Sequence, residues 1–301
     1  MGMVSATTCA AVAALGLWAG AAPDNPIYDQ LIGGGVPVSQ GPALRLPLPT
    51  MADGLDAAGQ QSALASIADD NHPVEALTRK SVVSPFVLKI HNAETGVGRY
   101  VDLWYVAHGP FDRITDGSYL EERRKNVVAK KNEDGLPTRS GSLTEDELKA
   151  RSLTVVSNDD MHETYAYASF VLFDRVFLSG TAHVLQTRKP PDSVLAAMLL
   201  DPRFAEDSQY QNFWQQLERD ENGALKLGAK HPYAGSGGYM KITRLHEPEG
   251  AMFVEYHIVF DEPEGWFNGA NLLRSKLPII AQDHVRKFRR ELQTSDPAPK
   301  P

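Results

Sequence analysis

Hydrophobic and polar residues alternate along three stretches of the chain, and each stretch predicts antiparallel strands. In the first, Val82-Val83 and Phe86-Val87-Leu88-Lys89-Ile90 lead through a Gly96-Val97-Gly98 turn into Tyr100-Val101-Asp102-Leu103-Trp104-Tyr105-Val106, a hairpin. The second, Thr164 to Arg188, sets Tyr165, Tyr167, Ser169, Val171 and Phe173 on one face and Ala166, Ala168, Phe170 and Leu172 on the other, so both faces read as buried. It is too long for one strand and must turn at Asp174-Arg175 or Ser179-Gly180. In the third, Gly238 to Leu245 and Met252 to Phe260 flank the turn Glu247-Pro248-Glu249-Gly250. A four-residue loop sets Leu245 opposite Met252, Thr243 opposite Val254 and Ile242 opposite Glu255, bringing Arg244 diagonally beside Glu255 as an ion pair.

Helical spacing marks other segments. Asp56 to Ala68 carries Ala57, Gln61, Leu64 and Ile67-Ala68 on one side, and Pro73 in Asn71-His72-Pro73-Val74-Glu75-Ala76-Leu77 starts a second short helix. Ser118 with Glu121 and Thr144 with Glu147 match the capping box, giving two surface helices around a loop at Asp134-Gly135. After Pro190-Pro191, Asp192 caps a predicted helix through Val194, Leu195, Met198 and Leu199 that stops at Asp201-Pro202, and a short helical piece follows from Gln209 to Leu217. The last helix carries Leu273, Leu277, Ile280, Ala281, His284, Phe288 and Leu292 as its apolar stripe. Pro278 should kink or divide it, and Arg286, Lys287, Arg289 and Arg290 crowd the end of its polar face, beside the negative pole of the helix dipole.

Composition adds the ends of the chain. Met1 to Ala22 holds no charged residue, and its run Ala10-Ala11-Val12-Ala13-Ala14-Leu15-Gly16-Leu17-Trp18 before Ala19-Gly20-Ala21-Ala22 reads as a secretory signal cleaved near Ala21 or Ala22. The basic residue that usually precedes such a core is missing, so an apolar N-terminal helix that stays is the alternative. The expected organisation is a signal peptide at 1–22 and an extended Pro/Gly-rich strap at 23–50, seen in Gly33-Gly34-Gly35-Val36-Pro37 and Leu46-Pro47-Leu48-Pro49. A single α+β domain at 51–293 follows, with a candidate internal division near 150–163, then a disordered tail at 294–301. The expected location is the periplasm or the extracellular space. The only cysteine, Cys9, lies in the leader, so no disulfide framework is expected in the mature chain. A net charge of −8 disfavours wholesale nucleic-acid binding, and no segment after the leader is apolar enough for a membrane span.

From Val176 onward the order is strand, two short helices, antiparallel meander, then a long helix preceded by Pro263-Glu264-Gly265-Trp266-Phe267. That order resembles the START-like helix-grip (SRPBCC-type) fold. The resemblance implies an α+β fold in which a curved antiparallel sheet has a long C-terminal helix packed across it and an apolar ligand between the two. The stretch Gly265 to Pro278 is also similar to exported proteins of planctomycete-type bacteria, a likeness that brings no activity with it.

Candidate chemistry is sparse. Asn158-Asp159-Asp160-Met161-His162-Glu163 has metal-ligand residue types, but no second His follows one helical turn on, so a solvated strand-entry loop is the better reading. No metal and no cofactor are expected. Gly235-Ser236-Gly237-Gly238 lacks the Lys-Ser/Thr of a phosphate loop and reads as a turn, and no G-x-S-x-G elbow supports a serine hydrolase. Glu255 and His257 point the same way on one strand; they suit either acid–base work or a structural pairing in which Arg244 matches Glu255, and the structural pairing is preferred. Trp266 and Phe267 line the mouth of an apolar pocket or staple their loop to the core. The basic end at Arg286 to Arg290 faces either anionic lipid, an acidic partner or solvent. The candidate ligand contacts are Tyr239, Tyr256, Trp266, Phe267 and Arg274, with Arg244, Glu255 and His257 as a candidate polar site.

Three functions fit. The first is an exported, non-catalytic protein binding a lipid-like or apolar small molecule. The second is an envelope structural or interaction protein with a solid core, and the third a hydrolase-like enzyme using Glu255 and His257. A cavity of about 300 Å³ or more between sheet and helix separates the first from the second. The third requires Glu255 and His257 to open onto a cleft.

Overall fold

Alternation along the chain becomes pairing in space. The computed structural model describes residues 24–94, 97–115, 128–131, 136–189, 192–219, 221, 225–267 and 271–293. The leader Met1 to Ala22, Gly96, the Ser118 capping site, the Asp134-Gly135 loop, Pro190-Pro191 and the tail lie outside the described residues.

Among the described residues, eleven strands form one antiparallel sheet. The first hairpin is β1 (Val87–Asn92) with β2 (Gly98–His108). β3 (Val128–Lys131) and β4 (Pro137–Ser142) pair on either side of the Asp134-Gly135 loop, and the helix expected at Thr144 follows β4. The long alternating stretch divides into β5 (Met161–Leu172) and β6 (Val176–Lys189), turning at Phe173 to Arg175, the first of the two predicted places. Only one face of β5 is buried: Tyr165, Tyr167 and Ser169 are covered, whereas Phe170 is 40% exposed.

Two expected helices are strands: Val194 to Leu199 lies in β7 (Ser193–Leu200), and most of the Gln209–Leu217 piece in β8 (Phe213–Arg219). β9 (Leu225–Pro232), β10 (Ser236–Arg244) and β11 (Ala251–Asp261) complete the set. The order is β1-β2-β11-β10-β7-β6-β5-β4-β3, with β8 joining β6 and β9 outside β8. The sheet forks along β6: its first half pairs with β8 and its second half with β7. At the fork, Asn212 Oδ1 accepts from the Thr181 amide (2.8 Å), and Asn212 Nδ2 donates to the Asp201 carbonyl (2.7 Å), so a side chain satisfies the backbone where strand pairing changes partner.

The last hairpin is slipped by one residue from the expected register. Ile242 lies opposite Val254, Lys241 opposite Glu255 and Arg244 opposite Met252. A one-residue slip exchanges faces. The observed pairing gathers Ile242 with Val254 on one side and the charged Lys241 with Glu255 on the other, where the expected pairing mixed an isoleucine with a carboxylate.

The helices are α1 (Pro26–Asp29), α2 (Ala57–Ile67), α3 (Val74–Leu77), α4 (Phe111–Thr115), α5 (Glu145–Lys149) and α6 (Leu272–Gln293). Asp56 caps α2 by accepting from the Gly59 amide, and Thr144 with Glu147 forms the reciprocal capping box of α5. α6 runs on through Pro278 and is not divided. Its buried stripe is Leu273, Ala281, Val285, Phe288, Arg289 and Leu292, while Ile280 is 51% exposed. Arg289, expected on the polar face, lies inside: its guanidinium donates to the carbonyls of Val82, Ser84, Pro85 and Val106. Burial lowers it to about 10, and the four carbonyls supply the hydrogen bonds that a buried cation needs.

The result is α+β: an open antiparallel sheet with a long C-terminal helix packed across it. α6 packs against β1 and β2, burying Leu103, Tyr105, Met252 and Val254 against Val285, Phe288 and Leu292. The opposite face is covered by the N-terminal segment. Ile27, Leu31, Val36 and Leu46 pack there on Leu195, Ala197, Tyr239 and Val259, and Met51, Leu64 and Leu77 on Trp104, Val106 and Phe253. Each such side chain, fully buried, contributes roughly 1.5–3 kcal/mol, enough together to hold a segment that adds no strand to the sheet. Gly237 permits this approach, since a Cβ there would lie 2.7 Å from both Leu31 and Val36. The Gly235 to Gly238 stretch is thus the entry into β10 and not a free turn.

Candidate functional site

The helix does not cover the whole of its face. Because α6 crosses β1 and β2, the neighbouring strands β10, β7 and β6 are left with a hollow of about 310 Å³. Its lining is apolar, with Val184, Ala196, Met198, Met240 and Ile258 half-buried and Phe288 of α6 and Ile114 of α4 at its border. Two small residues create the space. Ala196 lies opposite Met240 and Gln186 in the sheet, and Gly238 leaves the β10 side without a side chain. Two polar groups reach it. The Gln186 amide has no hydrogen-bond partner among the described residues. The Tyr256 hydroxyl meets His284 Nε2 at 3.2 Å and so ties the sheet to the helix. An apolar hollow with few polar groups is the usual form of a small-molecule site.

The predicted residues divide among four places. Tyr256 lines the hollow. Tyr239 borders it along its strand, but its ring turns to the opposite face, edge-on to Tyr28 at 5.2 Å, with its hydroxyl donating to the Pro47 carbonyl (2.9 Å). Trp266 and Phe267 are buried, 1% and 5% exposed, in a cluster with Val176, Trp214, Tyr233 and Leu273. Trp266 stacks on Tyr233 (5.6 Å) and meets Trp214 edge-on (5.8 Å), so the two aromatics staple the fork of the sheet to the start of α6 and border neither cavity. Arg274 borders a second groove, on another side of α6.

Glu255 and His257 come together with a third residue that sequence reading did not single out, Asp102. His257 Nδ1 lies 2.7 Å from Asp102 Oδ1, and Nε2 lies 3.2 Å from Glu255 Oε2. Burial would pull the imidazole down, but the carboxylates of Asp102 and Glu255 outweigh it and hold His257 above its ordinary value. All three are buried, and none borders the hollow or the groove at Arg274. Arg244 is not their partner. It is exposed, 3.3 Å from Asp112 and 3.8 Å from Asp192, because the hairpin register turns it to the other side.

The polar cluster holds residues 47–53. Glu255 accepts from the amides of Thr50 (2.7 Å) and Met51 (3.2 Å), Lys241 Nζ donates to the Met51 carbonyl (2.5 Å), and Trp104 Nε1 donates to Thr50 Oγ1 (2.9 Å). Asp53 then pairs with Lys241 (2.7 Å) and Lys189 (3.2 Å). Burial alone would raise Asp53, but the two lysines hold it below its ordinary value. A segment that joins no strand thereby has its backbone satisfied by side chains of the sheet. The signal for Asp102 and Lys241 was present in the sequence as charges set directly between apolar neighbours, Val101 and Leu103 for the one and Met240 and Ile242 for the other.

The Asn158 to Glu163 run bends at Asp159-Asp160 into the start of β5: Asn158 Oδ1 accepts from the amides of Asp160 and Met161, and Glu163 is engaged by His183 Nε2 (2.5 Å). Among the described residues no group of three or more His, Cys, Asp or Glu is placed to hold a metal ion, and no helix is long and apolar enough to cross a membrane.

Neither a protein-family model nor a curated protein matches the sequence. Among solved structures, the chain is similar to the STAR-related lipid transfer protein from Xanthomonas axonopodis at 11% identity and a TM-score of 0.40, over 68% of this chain and 93% of that one. It is also similar to human STARD10 at 8% identity and a TM-score of 0.30, over 82% and 88% of the two chains. A third similarity is to CalU16 from Micromonospora echinospora, at 11% identity and a TM-score of 0.24 over 71% and 86%. What the chain itself has is an open antiparallel sheet with a long C-terminal helix packed across it.

Proposed function

We propose that this protein binds a lipid-like or other apolar small molecule in the hollow between the sheet and α6, and does so without transforming it. The observation that carries the reading is the hollow itself, about 310 Å³ and lined by half-buried valine, isoleucine, methionine and alanine side chains. A solid core, as a purely structural protein would have, leaves no such space. The hydrolase reading lacks its requirement, since Glu255 and His257 lie beneath residues 50 and 51, away from both cavities.

Export belongs to the same proposal. The uncharged leader Met1 to Ala22 supports delivery to the periplasm or the medium, where a carrier would take up its ligand. The test is native mass spectrometry of the full chain purified from its own host, followed by organic extraction. The expected result is an apolar compound that accompanies the protein, on a chain whose new N-terminus lies near Ala21 or Ala22. A bare mass with nothing extractable overturns the binding role, and an intact leader overturns export.

A further inference from the structure

A second groove, of about 480 Å³, lies between α6, the edge strand β1 and the segment Val83 to Phe86. It shares no lining residue with the apolar hollow. Its apolar surface comes from Phe86, Leu88 and Ile90 on one side and Pro278 and Val285 on the other. Four basic residues border it, and they differ in what they hold. Arg289 is engaged by four backbone carbonyls, and His72 is paired with Asp69 at 2.9 Å. Arg274 and Arg286 have no partner among the described residues. On the same helix Lys276 has Asp174 (3.5 Å) and Lys287 has Glu291 (3.9 Å), so of the groove's arginines Arg274 and Arg286 are the two that meet neither a carboxylate nor a carbonyl among the described residues.

The two arginines are not equivalent. Twelve residues of helix separate them by roughly 18 Å, too far to grip one small anion together. Arg286 is half-buried, with the Gln282 amide one turn before it on the groove; Arg274 is exposed. A half-buried guanidinium without a counter-ion, beside an apolar trough in a chain of net charge −8, suits a ligand that supplies both a negative head and a hydrocarbon tail. We infer that this groove is a second binding site, for a single-chain anionic amphiphile whose carboxylate or phosphate head pairs with Arg286 and whose chain lies along Phe86, Leu88, Ile90 and Pro278.

The site is tested with the full chain stripped of bound lipid and a laurate bearing a diazirine on its tail. Photoadducts are expected on residues 83–90 and 274–289; adducts confined to 184–198 and 238–258 belong to the apolar hollow and overturn the proposal. Calorimetric titration supplies the second arm. Arg286→Gln should weaken laurate and dodecyl phosphate roughly tenfold or more, as loss of a charge-assisted pair does, leave dodecanol unchanged, and exceed the effect of Arg274→Gln. Equal binding of inorganic phosphate and dodecyl phosphate, or no effect of Arg286→Gln on laurate, overturns it. So does a loss confined to phosphatidylglycerol vesicles, which makes the face a membrane surface instead. An empty hollow changes none of these outcomes, so the two sites fail separately.

Discussion

On one face of the sheet, β2, β10 and β11 turn Asp102, Lys241, Glu255 and His257 toward residues 47–53; on the other, the same strands turn Leu103, Met240, Val254 and Tyr256 toward α6. The charged face is closed. Each of its ionised groups meets a counter-charge or a backbone amide or carbonyl, so the cluster fastens a segment that has no strand of its own. The apolar face keeps the space. Small side chains at Ala196 and Gly238, and a helix set over β1 and β2, leave room that no described residue fills. The residues with the look of catalytic groups lie in the clamp on residues 47–53, and the hollow is lined by residues with no chemistry to advertise.

The contrast can be broken most severely at Glu255. Glu255→Ala leaves His257 and two strap amides without their carboxylate, and removing one partner of a buried pair costs about 3–5 kcal/mol. Urea unfolding should record a loss of that size, accompanied by faster exchange of the Thr50 and Met51 amides. On the other face, Ala196→Phe fills the hollow. Affinity for the extracted ligand should fall roughly tenfold or more, equivalent to about 1.4 kcal/mol, while the unfolding free energy moves by less than the roughly 1–3 kcal/mol of an overpacked core. Equal losses of stability from both variants would erase the distinction between a clamped face and an open one.

A pH titration sharpens the comparison further. His257 is held above its ordinary value, so its contribution is complete below the unfolded value of about 6.5 and is lost as pH rises through the folded one. Asp53 is held below its ordinary value, so its contribution is complete above the unfolded value and is lost as pH falls through the folded one. Protection of the Thr50 and Met51 amides, corrected for intrinsic exchange, should therefore peak between the two titrations, with amides under α6 following neither. The smallest effect is expected at Arg244: its ion pairs are exposed, and Arg244→Ala should cost less than about 1 kcal/mol. A loss comparable to that of Glu255→Ala would restore the register in which the two are partners.

Strong local signals are legible in the sequence alone. Alternation around a turn identified the β1–β2 and β10–β11 hairpins, and helix caps at Asp56 and Thr144 formed as their side chains dictate. The candidate site was less legible. Of the predicted ligand contacts, Tyr256 lines the hollow, and Tyr239 borders it only along its strand, with its ring on the opposite face. Ala196, Met198 and Gly238, which make the hollow, carry no recognisable signal. The reading of β7 failed for a specific reason: Ser193-Val194-Leu195-Ala196-Ala197-Met198-Leu199-Leu200 is a run of good helix formers, and a strand sandwiched between two others is apolar on both sides.

What the sequence determined by itself is where the chain turns, which segments alternate, and that a long amphipathic helix ends the chain, because these depend on neighbours a few residues apart. Only the tertiary structure decided that Val194 to Leu199 extends between β6 and β10, that the last hairpin pairs Ile242 with Val254, and that Arg289 is drawn inside to meet four carbonyls. In each case a partner far away in sequence supplied hydrogen bonds or apolar cover that local preference could not anticipate.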